Sequence, residues 1–532
     1  MKRFLFFVVM LALTGGAAMI ALPPEADAQG TYSVKPACED SLQAILDAAA
    51  PGSTVQVRTD CIYRERVTIR VPMVLDGQGG AEIRGSDVWT TWIPIEGLWV
   101  SANPVPFYET EGFCEEESDG RCLWPEQVFR DGVALRQVAA GTVPGPGQFS
   151  LNAGRQVVIA DDPTSAVMEV STRTTWMEID ADDVTVRGFT MKHAATDAQA
   201  GALRVPGAAR WTIEGNTLSD GHGIIISFWH APGGTIIDNE IFNAGQLGIG
   251  GATSDAVIRG NVIYRNNTER FDPDWEAGGM KITNTTNIEI SDNEVYLNHG
   301  PGIWCDIDCR EVRIHGNNVY HNDRVGIYFE ISDGAEIFQN RVWSNVWGEG
   351  GTGWAGIFIS SSSNTRVYEN IVAWNGDGIV VMSQCRAPVS GGQGCDTSHR
   401  WSNVSGNEVF RNTIIMAPHD DLDPTVYALG WQRDIVDESG RAYRFMFSDE
   451  ANNRGYENRY WISPDDRSGE ISFAWSDTSF ASLDQFNATP GEENGRYLDE
   501  DDRDRILTEA GISPEPDYPD PPWTLGGQAA WR

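Results

Sequence analysis

The chain has 532 residues and a formal net charge of −37. A surface this acidic repels nucleic acids and anionic membranes, so we expect neither as a partner. Beyond the N-terminal segment, no apolar run reaches the roughly 18 residues that a membrane span needs. We therefore expect a soluble protein, and we take it to be a monomer.

The N-terminus has the pattern of a secretory signal peptide. Lys2 and Arg3 precede an apolar run over residues 4–22, and small residues follow at Ala26 and Ala28. This pattern predicts that residues 1–28 are removed and that the mature chain begins at Gln29. We expect the protein to be secreted, to the periplasm or the extracellular medium.

The eight cysteines fall into four pairs that are close in sequence. In an exported protein such pairs favour disulfide bonds over metal thiolates. A bond between Cys305 and Cys309 requires a turn between them and would hold Asp306 and Asp308 in a tight loop. The predicted disulfides join Cys38 to Cys61, Cys114 to Cys122, Cys305 to Cys309 and Cys385 to Cys395.

The first part of the mature chain, residues 29–84, is predicted to be an N-terminal cap followed by the first coils of a solenoid. Apolar side chains at helical spacing predict a helix over residues 41–50, which Pro51 and Gly52 end. Short apolar strands follow. A helix before the first strands is typical of the cap that covers the open edge of a solenoid.

A different composition follows at residues 85–176, where tryptophan, proline and turn residues accumulate. Residues 128–133 and 149–155 have the pattern of β-hairpins that turn at Asp-Gly and Asn-Ala-Gly. We interpret this region as a small β-subdomain inserted into the first coils.

Residues 177–411 carry two repeats with periods of 22–24 residues where no insertion intervenes. The first, Ile/Val-x-x-Asn-x-apolar, predicts a turn whose stacked asparagines hydrogen-bond up a ladder. The second, Gly-apolar-x-apolar, predicts a further strand in each coil. The ladder asparagines are Asn216, Asn239, Asn261, Asn293, Asn317, Asn340, Asn370 and Asn407, and Asn412 is expected to lie past the ladder. The glycines are Gly223, Gly248, Gly279, Gly302, Gly326, Gly356 and Gly378.

These periods also suit a leucine-rich repeat, but the Leu-x-x-Leu-x-Leu frame is absent. Over residues 41–411 the pattern resembles the right-handed parallel β-helix of the pectin lyase-like superfamily. The resemblance implies an all-β, single-stranded parallel β-helix that acts on polysaccharides. Its members include lyases, glycoside hydrolases, uronate epimerases and phage tailspikes. Because these members differ in activity, the resemblance specifies the fold better than the reaction.

Two further regions complete the chain. Residues 412–497 are rich in aromatic side chains between acidic loops, which predicts a C-terminal capping region. Residues 498–532 combine Asp and Glu with proline, which predicts a mobile acidic tail.

The candidate catalytic residues lie in two successive coils. Residues 302–307 align with residues 326–331 at an offset of 24 without a gap. In strands that begin at these glycines, alternate side chains point out of the coil. The outward set is Trp304, Asp306, Asp308, Tyr328 and Glu330, and the strand one coil earlier adds Lys281.

Two insertions flank these coils, one between Asn261 and Gly279 and one between Asn340 and Gly356. Both carry aromatic residues, which bind the C–H faces of sugar rings. We expect them to form walls on either side of an open groove on the outer strand face. The predicted substrate-binding residues are Trp275, Trp304, Tyr328, Trp343, Trp347 and Trp354.

The predicted catalytic residues Lys281, Asp306 and Glu330 suit two reactions. Stacked carboxylates cannot easily both ionise, so one of them can protonate a glycosidic oxygen in a glycoside hydrolase. Alternatively, Ca²⁺ bound by Asp306, Asp308 and Glu330 can neutralise a uronate beside a lysine base in a lyase. A uronate epimerase would share that base, and a non-catalytic carbohydrate-binding or surface protein stays a further alternative.

Two other motifs resemble those of known enzymes only in part. His222, in Gly-His-Gly, matches the polygalacturonase family, but the Asn-Thr-Asp and Asp-Asp motifs of that family are absent, which favours a turn histidine. Pro418-His419-Asp420 is similar to a motif of alginate epimerases, but Ala417 replaces its first Asp and the motif lies past the ladder. We assign neither motif a role.

Overall fold

A computed structural model describes residues 31–32, 38, 40–109, 111–346, 355–384, 403–417, 426–433, 444–464, 466 and 471–518. The predicted signal peptide, Cys385, Cys395, Trp347, Trp354, His419 and Asp420 lie outside these residues. No helix in the described part is long and apolar enough to cross a membrane.

Each central coil is a triangle of three strands. The coil that ends at the candidate site has Val257–Arg259 and Val262–Tyr264 in one sheet and Gly278–Thr283 in another. Every strand pairs in parallel with its equivalent in the next coil. The inward side chains, such as Ile258, are fully buried and form one continuous apolar core.

Sheet 1, which carries the candidate site, has 13 strands in the described residues. They are Val67–Ile69, Met177–Ile179, Gly201–Val205, Ile224–Trp229, Leu247–Ala252, Gly278–Thr283, Ile303–Asp306, Ile327–Glu330, Ala355–Ser360, Asp377–Ser383, Val426–Arg433, Ile471–Trp475 and Thr478–Phe480.

Sheet 2 covers the other two sides of the coil and has 24 described strands. They are Thr31–Tyr32, Ser53–Gln56, Ile62–Tyr63, Met73–Arg84, Val184–Ala194, Thr212–Glu214, Thr217–Gly221, Thr235–Ile237, Glu240–Phe242, Val257–Arg259, Val262–Tyr264, Glu289–Ser291, Glu294–Tyr296, Arg310–His315, Asn318–Tyr320, Asp333–Phe338, Arg341–Trp343, Ser363–Tyr368, Ile371–Ala373, Glu408–Phe410, Thr413–Ile415, Arg454–Tyr456, Arg459–Trp461 and Arg496–Tyr497.

Two small, mainly antiparallel sheets occupy the range in which the sequence predicted an inserted β-subdomain. One contains Ser86–Val88, Val128–Arg130, Val133–Ala134 and Met168–Ser171. The other contains Trp92–Ile95, Leu98–Pro104, Arg136–Gln137, Gln148–Leu151 and Gln156–Ile159. They share a separate apolar core that includes Phe149 and Val170.

The described α-helices lie toward the two ends of the solenoid. Leu42–Ala48 caps the N-terminal end, with the Ser41 side chain accepting a hydrogen bond from the Ala44 N–H. In the described residues the other α-helices are Leu483–Phe486 and Glu500–Ala510, and the 3₁₀ helices are Glu116–Ser118, Arg121–Leu123, Phe445–Phe447 and Asp449–Ala451.

The predicted mobile tail from residue 498 is therefore wrong over the helix Glu500–Ala510. Asp499 caps this helix, and its buried Leu507 packs with Trp374 and Trp461 of the last coils. The acidic residues occupy the exposed first turn of an amphipathic helix, where they complement the helix dipole.

The asparagine ladder is longer than the sequence indicated. At each step the Nδ2 donates to the Oδ1 of the next asparagine, as in Asn317 to Asn340 at 2.9 Å, and the backbone N–H donates to the same atom. The ladder continues from Asn370 to Asn412 and Asn458. The prediction that it ends at Asn407 is wrong, because Asn407 lies in another row, where it accepts from the Thr365 N–H.

The β-helix consequently extends past residue 411. Val426–Arg433 and Ile471–Trp475 continue sheet 1, and Arg459–Trp461 continues sheet 2. The aromatic residues that suggested a separate capping region belong to these additional coils, where several of them, such as Trp431, fill the core.

A second asparagine ladder was not recognised in the sequence. Each of its members follows a first-ladder asparagine by five residues, and Nδ2-to-Oδ1 hydrogen bonds of 2.8–3.0 Å join them. Its members are Asn266, Asn298, Asn322, Asn345 and Asn375. The two ladders bound the strands from Val262–Tyr264 to Ile371–Ala373 and satisfy the backbone groups at both turns.

The cysteine pairs differ from the prediction at one described pair. Cys38 is bonded to Cys61 and Cys114 to Cys122. Cys305 and Cys309 are free thiols, both buried. The predicted disulfide between them is therefore absent, although both thiols lie in the same apolar core.

The first ladder ends on a buried carboxyl group. Asn458 Nδ2 donates to Glu492 Oε2 at 2.8 Å, and the Tyr460 hydroxyl donates to the same oxygen. Burial raises the pKa of Glu492 to about 7, although these hydrogen bonds oppose the shift. Glu492 therefore closes the ladder as a titratable group.

Substitution of a ladder asparagine should destabilise the fold both in the middle of the ladder and near its C-terminal end. Asn317→Leu and Asn412→Leu should each lower the free energy of unfolding by ~3 kcal/mol or more, because each leaves several buried polar groups unpaired. Asn318→Leu, at a half-buried outward position next to the ladder, should cost less than ~1 kcal/mol. Urea denaturation measures all three, and a small loss for Asn412→Leu would contradict the register.

Glu492 should make stability depend on pH between about 4.5 and 7. Its folded-state pKa is raised, so stability is greatest below the unfolded value of 4.5 and falls as the pH rises to about 7, by ~3 kcal/mol in total. Glu492→Gln should flatten this window in melting curves recorded at a series of pH values. An unchanged slope in the variant would show that other groups cause it.

Candidate functional site

The outward side chains of sheet 1 form rows along the solenoid, because each strand pairs in register with the next. Lys281 lies beside Trp304, and Trp304 lies beside Tyr328. The intervening residues, such as Met280 and Cys305, point into the core and are fully buried. The three residues were predicted to be outward neighbours, and the structure brings them together.

A second outward row lies two residues further along each strand. Thr283 pairs with Asp306, and Glu330 pairs with Ser360. The register that pairs Cys305 with Phe329 puts Asp306 beside Glu330. Adjacent strands are about 4.8 Å apart, so the two carboxylates lie on neighbouring rungs.

Lys281 is fully engaged by its surroundings. Its Nζ lies 2.9 Å from Asp306 Oδ2, 3.3 Å from Glu276 Oε1 and 2.6 Å from the carbonyl oxygen of Trp275. It also lies 3.6 Å from the centroid of the Trp304 ring, within cation–π range. Three acceptors surround an ammonium group that has three protons to donate.

Trp304 links the ammonium group to the second carboxylate. Its Nε1 donates to Glu330 Oε2 at 3.1 Å, and its ring stacks on Tyr328 at 5.2 Å. Tyr328 in turn stacks on Phe358 at 5.0 Å. These stacked rings therefore form a continuous aromatic row beside the row of carboxylates.

The two carboxylates differ in how their oxygens are used. Asp306 Oδ2 contacts Lys281, whereas Asp306 Oδ1 is buried and accepts no hydrogen bond from another described residue. Glu330 Oε2 accepts from Trp304. Burial raises the pKa of Glu276, the third carboxyl group in contact with this cluster, and Lys281 opposes that shift.

The predicted open groove is wrong in this structure, because the cluster is enclosed. Lys281 and Glu330 are 4% exposed, Asp306 is 5% exposed and Trp304 is 3% exposed. The insertion that carries Trp275 and Glu276 folds over Lys281 rather than standing beside an open strand face. A substrate must displace covering groups to reach the carboxylates.

Asp308 does not join the cluster. The backbone turns at Ile307 and Asp308, with φ of 53° and 60°, and this turn leaves Ile307 46% exposed rather than inward. Asp308 Oδ1 forms an ion pair with Arg310 at 2.7 Å. Alternation along a strand fails at these residues because the strand has already ended at Asp306.

The predicted calcium ligands do not fit an ion-binding site. Among the described residues, the ligand oxygens of Asp306, Asp308 and Glu330 do not all lie within 4.8 Å of one another. Asp308 is paired with Arg310, and the Lys281 ammonium occupies the place beside Asp306. Lys281 therefore supplies positive charge at the position where a calcium ion was predicted.

The predicted aromatic walls are only partly realised. Trp275 lies next to the cluster, where its ring packs edge-on against Phe113 at 5.1 Å. Trp343 lies on sheet 2, where it stacks on Tyr320 at 4.2 Å. Its assignment to the substrate groove is therefore wrong, and Trp347 and Trp354 lie outside the described residues.

A second buried cluster fixes the insertion that covers Lys281, and no sequence motif indicated it. His299 Nε2 lies 2.9 Å from Glu115 Oε1, and His299 Nδ1 contacts Asp323. Glu115 also pairs with Arg270 of the insertion at 2.7 Å. The disulfide loop that contains Glu115 is thereby tied to both the insertion and the coil.

The charges in this cluster depend on each other. Burial alone would lower the pKa of His299, but the Asp323 and Glu115 carboxylates outweigh burial and raise it to about 9. Burial would raise the pKa of Glu115, but His299 and Arg270 bring it down to about 2. At neutral pH His299 is therefore an imidazolium in contact with the side chains of Glu115 and Asp323.

His222 has the environment of a buried turn histidine. Its Nδ1 lies 3.0 Å from the Thr196 carbonyl oxygen, and burial lowers its pKa. Its ring packs edge-on against Phe271 of the insertion at 5.6 Å. This environment gives no support to a polygalacturonase-like role.

Comparison with known proteins identifies the architecture. Residues 201–372 match the family described as "Right handed beta helix region". The chain is a right-handed parallel β-helix protein. The complex of XylC with xylose has a similar structure, with a TM-score of 0.61, 16% sequence identity, and coverage of 86% of this chain and 82% of that one. This similarity confirms the predicted right-handed parallel β-helix fold.

Two other β-helix structures are similar at lower TM-scores. A glycoside hydrolase has a TM-score of 0.41 and 10% identity, covering 85% of this chain and 95% of that one. The A-module of the mannuronan C-5 epimerase AlgE6 from Azotobacter vinelandii has a TM-score of 0.40 and 12% identity, covering 86% and 93%. No match was found among curated proteins.

The Glu115–His299–Asp323 cluster should make the β-helix lose stability as the pH rises. The raised pKa of His299 contributes stability that is complete below the unfolded value of 6.5 and is lost as the pH rises through about 9, by ~3 kcal/mol. His299→Gln should remove this loss, and His230→Gln, at an exposed histidine, should not. Melting curves from pH 6 to 10 test this, and equal behaviour of the two variants would contradict it.

Proposed function

We propose that this β-helix protein is an exported glycoside hydrolase that cleaves a polysaccharide of neutral sugars. The observation that carries the proposal is the placement of Asp306 and Glu330 on neighbouring rungs beside the Lys281 ammonium. Two disulfides in the described residues agree with export.

The spacing of the rungs favours a retaining mechanism. Adjacent strands are about 4.8 Å apart, close to the roughly 5–5.5 Å between the carboxyl groups of retaining glycosidases and below the roughly 6.5 Å at which inverting pairs begin. In this mechanism one carboxylate attacks the anomeric carbon, and the other protonates the leaving oxygen and then activates water.

The surroundings suggest which carboxylate has which role. Asp306 Oδ1 is buried without a hydrogen-bond donor, so its lone pairs are available for attack, and Lys281 balances the charge on Oδ2. We assign Asp306 as the nucleophile. Glu330 is then the acid and base, held in position by the Trp304 Nε1.

The contacts of Lys281 argue against the lyase and epimerase alternatives. Both reactions need a neutral amine that faces the substrate and can accept a proton. The three acceptors around Nζ use the three protons of an ammonium group, and the Trp304 ring covers it as well. Lys281 therefore has the environment of a charge-balancing group rather than of a base.

Charge also favours a neutral substrate. Asp306 and Glu276 share one lysine, Glu330 lies on the rung next to Asp306, and the whole chain carries a formal charge of −37. A polyuronate would be repelled by both the site and the protein surface. The similar structure of XylC is a complex with xylose, a neutral sugar.

The second candidate function is carbohydrate binding without catalysis. Enclosure of the cluster favours it, since Asp306 and Glu330 are only 5% and 4% exposed. Incubation with neutral and acidic polysaccharides separates the two functions. New reducing ends without ultraviolet absorbance from an unsaturated product support hydrolysis, absorbance supports a lyase, and binding alone supports the second candidate.

Removal of either carboxylate should abolish hydrolysis while the protein stays folded. Asp306→Asn and Glu330→Gln should each lower kcat by roughly 10³-fold or more. Asp308→Asn is the matched control, because Asp308 lies in the next turn but pairs with Arg310. Initial rates of reducing-end release test this. Activity within tenfold of the wild type in both site variants would refute the assignment.

A further inference from the structure

Outward aromatic side chains form two stacked ladders on sheet 2, and they end differently. One ladder runs through Tyr264, Tyr296 and Tyr320 to Trp343, with ring centroids 4.2–5.1 Å apart. Its last ring packs against the apolar cluster formed by the C-terminal helix and the last coils. That end of the ladder is therefore covered.

The other ladder ends in an open position. It runs through Phe338, Tyr368 and Phe410 to Tyr456, with centroids 4.7–5.0 Å apart. The next coil has no ring to continue it, because the residue beside Tyr456 is Glu493. The Glu493 N–H donates to the Gly455 carbonyl, and the Glu457 N–H donates to the Glu493 carbonyl, which is the parallel pattern that pairs Glu493 with Tyr456.

A pocket of about 790 Å³ lies at this end of the ladder. Tyr456, Trp475 and Phe447 contribute aromatic surface to it, and the loop at residues 487–494 forms another side. Its volume lies in the range of roughly 300–1,000 Å³ that is typical of small-molecule sites. It lies in the last described coils and contains none of the residues of the Asp306 cluster.

Tyr456 lines the pocket, and no aromatic ring of another described residue stacks on its second face. Phe410 covers the opposite face at 4.7 Å. The Arg454 guanidinium lies 5.6 Å from the ring centroid, but it pairs with Glu408 of the preceding coil and so lies toward the covered side. A flat ring that enters the pocket can stack on the second face at the same spacing as another member of the ladder.

The polar groups of the pocket match a polyhydroxylated ligand. Asn452, Glu493 and Asn494 are exposed, and their side chains form no hydrogen bond or ion pair with another described residue. Three carboxylates and one guanidinium line the pocket, in Asp449, Glu457, Glu493 and Arg454. Sugar hydroxyls can donate to these carboxylates, whereas an anionic sugar would be repelled.

We propose that the pocket at Tyr456 is a second carbohydrate site, which binds a neutral pyranose unit by stacking its C–H face on Tyr456. The site is separate from the Asp306 cluster and does not depend on the hydrolase assignment. On a polysaccharide, such a site would hold the chain on the protein without taking part in cleavage.

Calorimetric titration of the full chain tests the proposal, with xylohexaose, cellohexaose, mannohexaose and hexagalacturonate as probes. The Asp306→Asn background prevents cleavage during the titration. We expect at least one neutral hexasaccharide to bind, and we expect hexagalacturonate not to bind. Tyr456→Ala should then weaken this binding at least tenfold, because it removes the stacking surface.

Tyr368→Ala is the matched control, because Tyr368 has the same ladder contacts but is covered on both faces at 5.0 Å. It should leave the affinity within twofold. Glu493→Trp gives a second variant that keeps Tyr456, since the new ring should continue the ladder and block the pocket. Both Tyr456→Ala and Glu493→Trp should leave the hydrolysis of a short substrate unchanged.

Three results would overturn the proposal. One is no binding of any neutral hexasaccharide at millimolar concentration. Another is equal affinity loss in Tyr456→Ala and Tyr368→Ala. The third is undiminished binding in folded Glu493→Trp protein. If Asp306→Asn abolishes hydrolysis and leaves binding at Tyr456 unaltered, the two sites are distinct. If the hydrolase assignment fails, the binding result at Tyr456 still stands.

Discussion

The in-register parallel pairing of successive coils is the constraint on which the rest of this structure depends. It puts each residue about 4.8 Å from its equivalent in the next coil. Identical asparagines can therefore share hydrogen bonds along a buried row, from Asn216 to Asn458, and identical aromatic positions can stack. The same constraint brings Asp306 beside Glu330, where two like charges become neighbours.

Neighbouring buried carboxylates are unfavourable unless a positive charge or a proton compensates them. The protein places Lys281 one coil earlier in an adjacent outward row, so the register that brings the carboxylates together also delivers a cation to Asp306. The insertion then encloses the cluster through Glu276 and the Trp275 carbonyl. The buried Glu115–His299–Asp323 cluster ties that insertion to the disulfide loop of the small sheets.

Periodicity explains which parts of the structure could be predicted from the sequence. Spacings of 22–24 residues were sufficient to identify the β-helix and to group Lys281, Trp304, Asp306, Tyr328 and Glu330. Periodicity failed at Asp308, which lies in a left-handed turn after its strand has ended, and at Trp343, which belongs to a regular strand of sheet 2 and not to the insertion that follows. Insertions between the last coils break the period, so the sequence did not indicate that Asn412 and Asn458 belong to the ladder. Glu115 and Glu276 come from non-repetitive segments, and periodicity has no information about their contacts.

The anomeric configuration of the first product tests the central claim most directly, because it reports the separation of the two carboxylates during the reaction. Proton NMR of the hydrolysis of a neutral polysaccharide, begun within the time needed for mutarotation, distinguishes the two anomers. The arrangement of Asp306 and Glu330 on adjacent rungs predicts that the product keeps the configuration of the substrate. An inverted product, or an unsaturated sugar end in place of a hydrolysed one, would contradict the account.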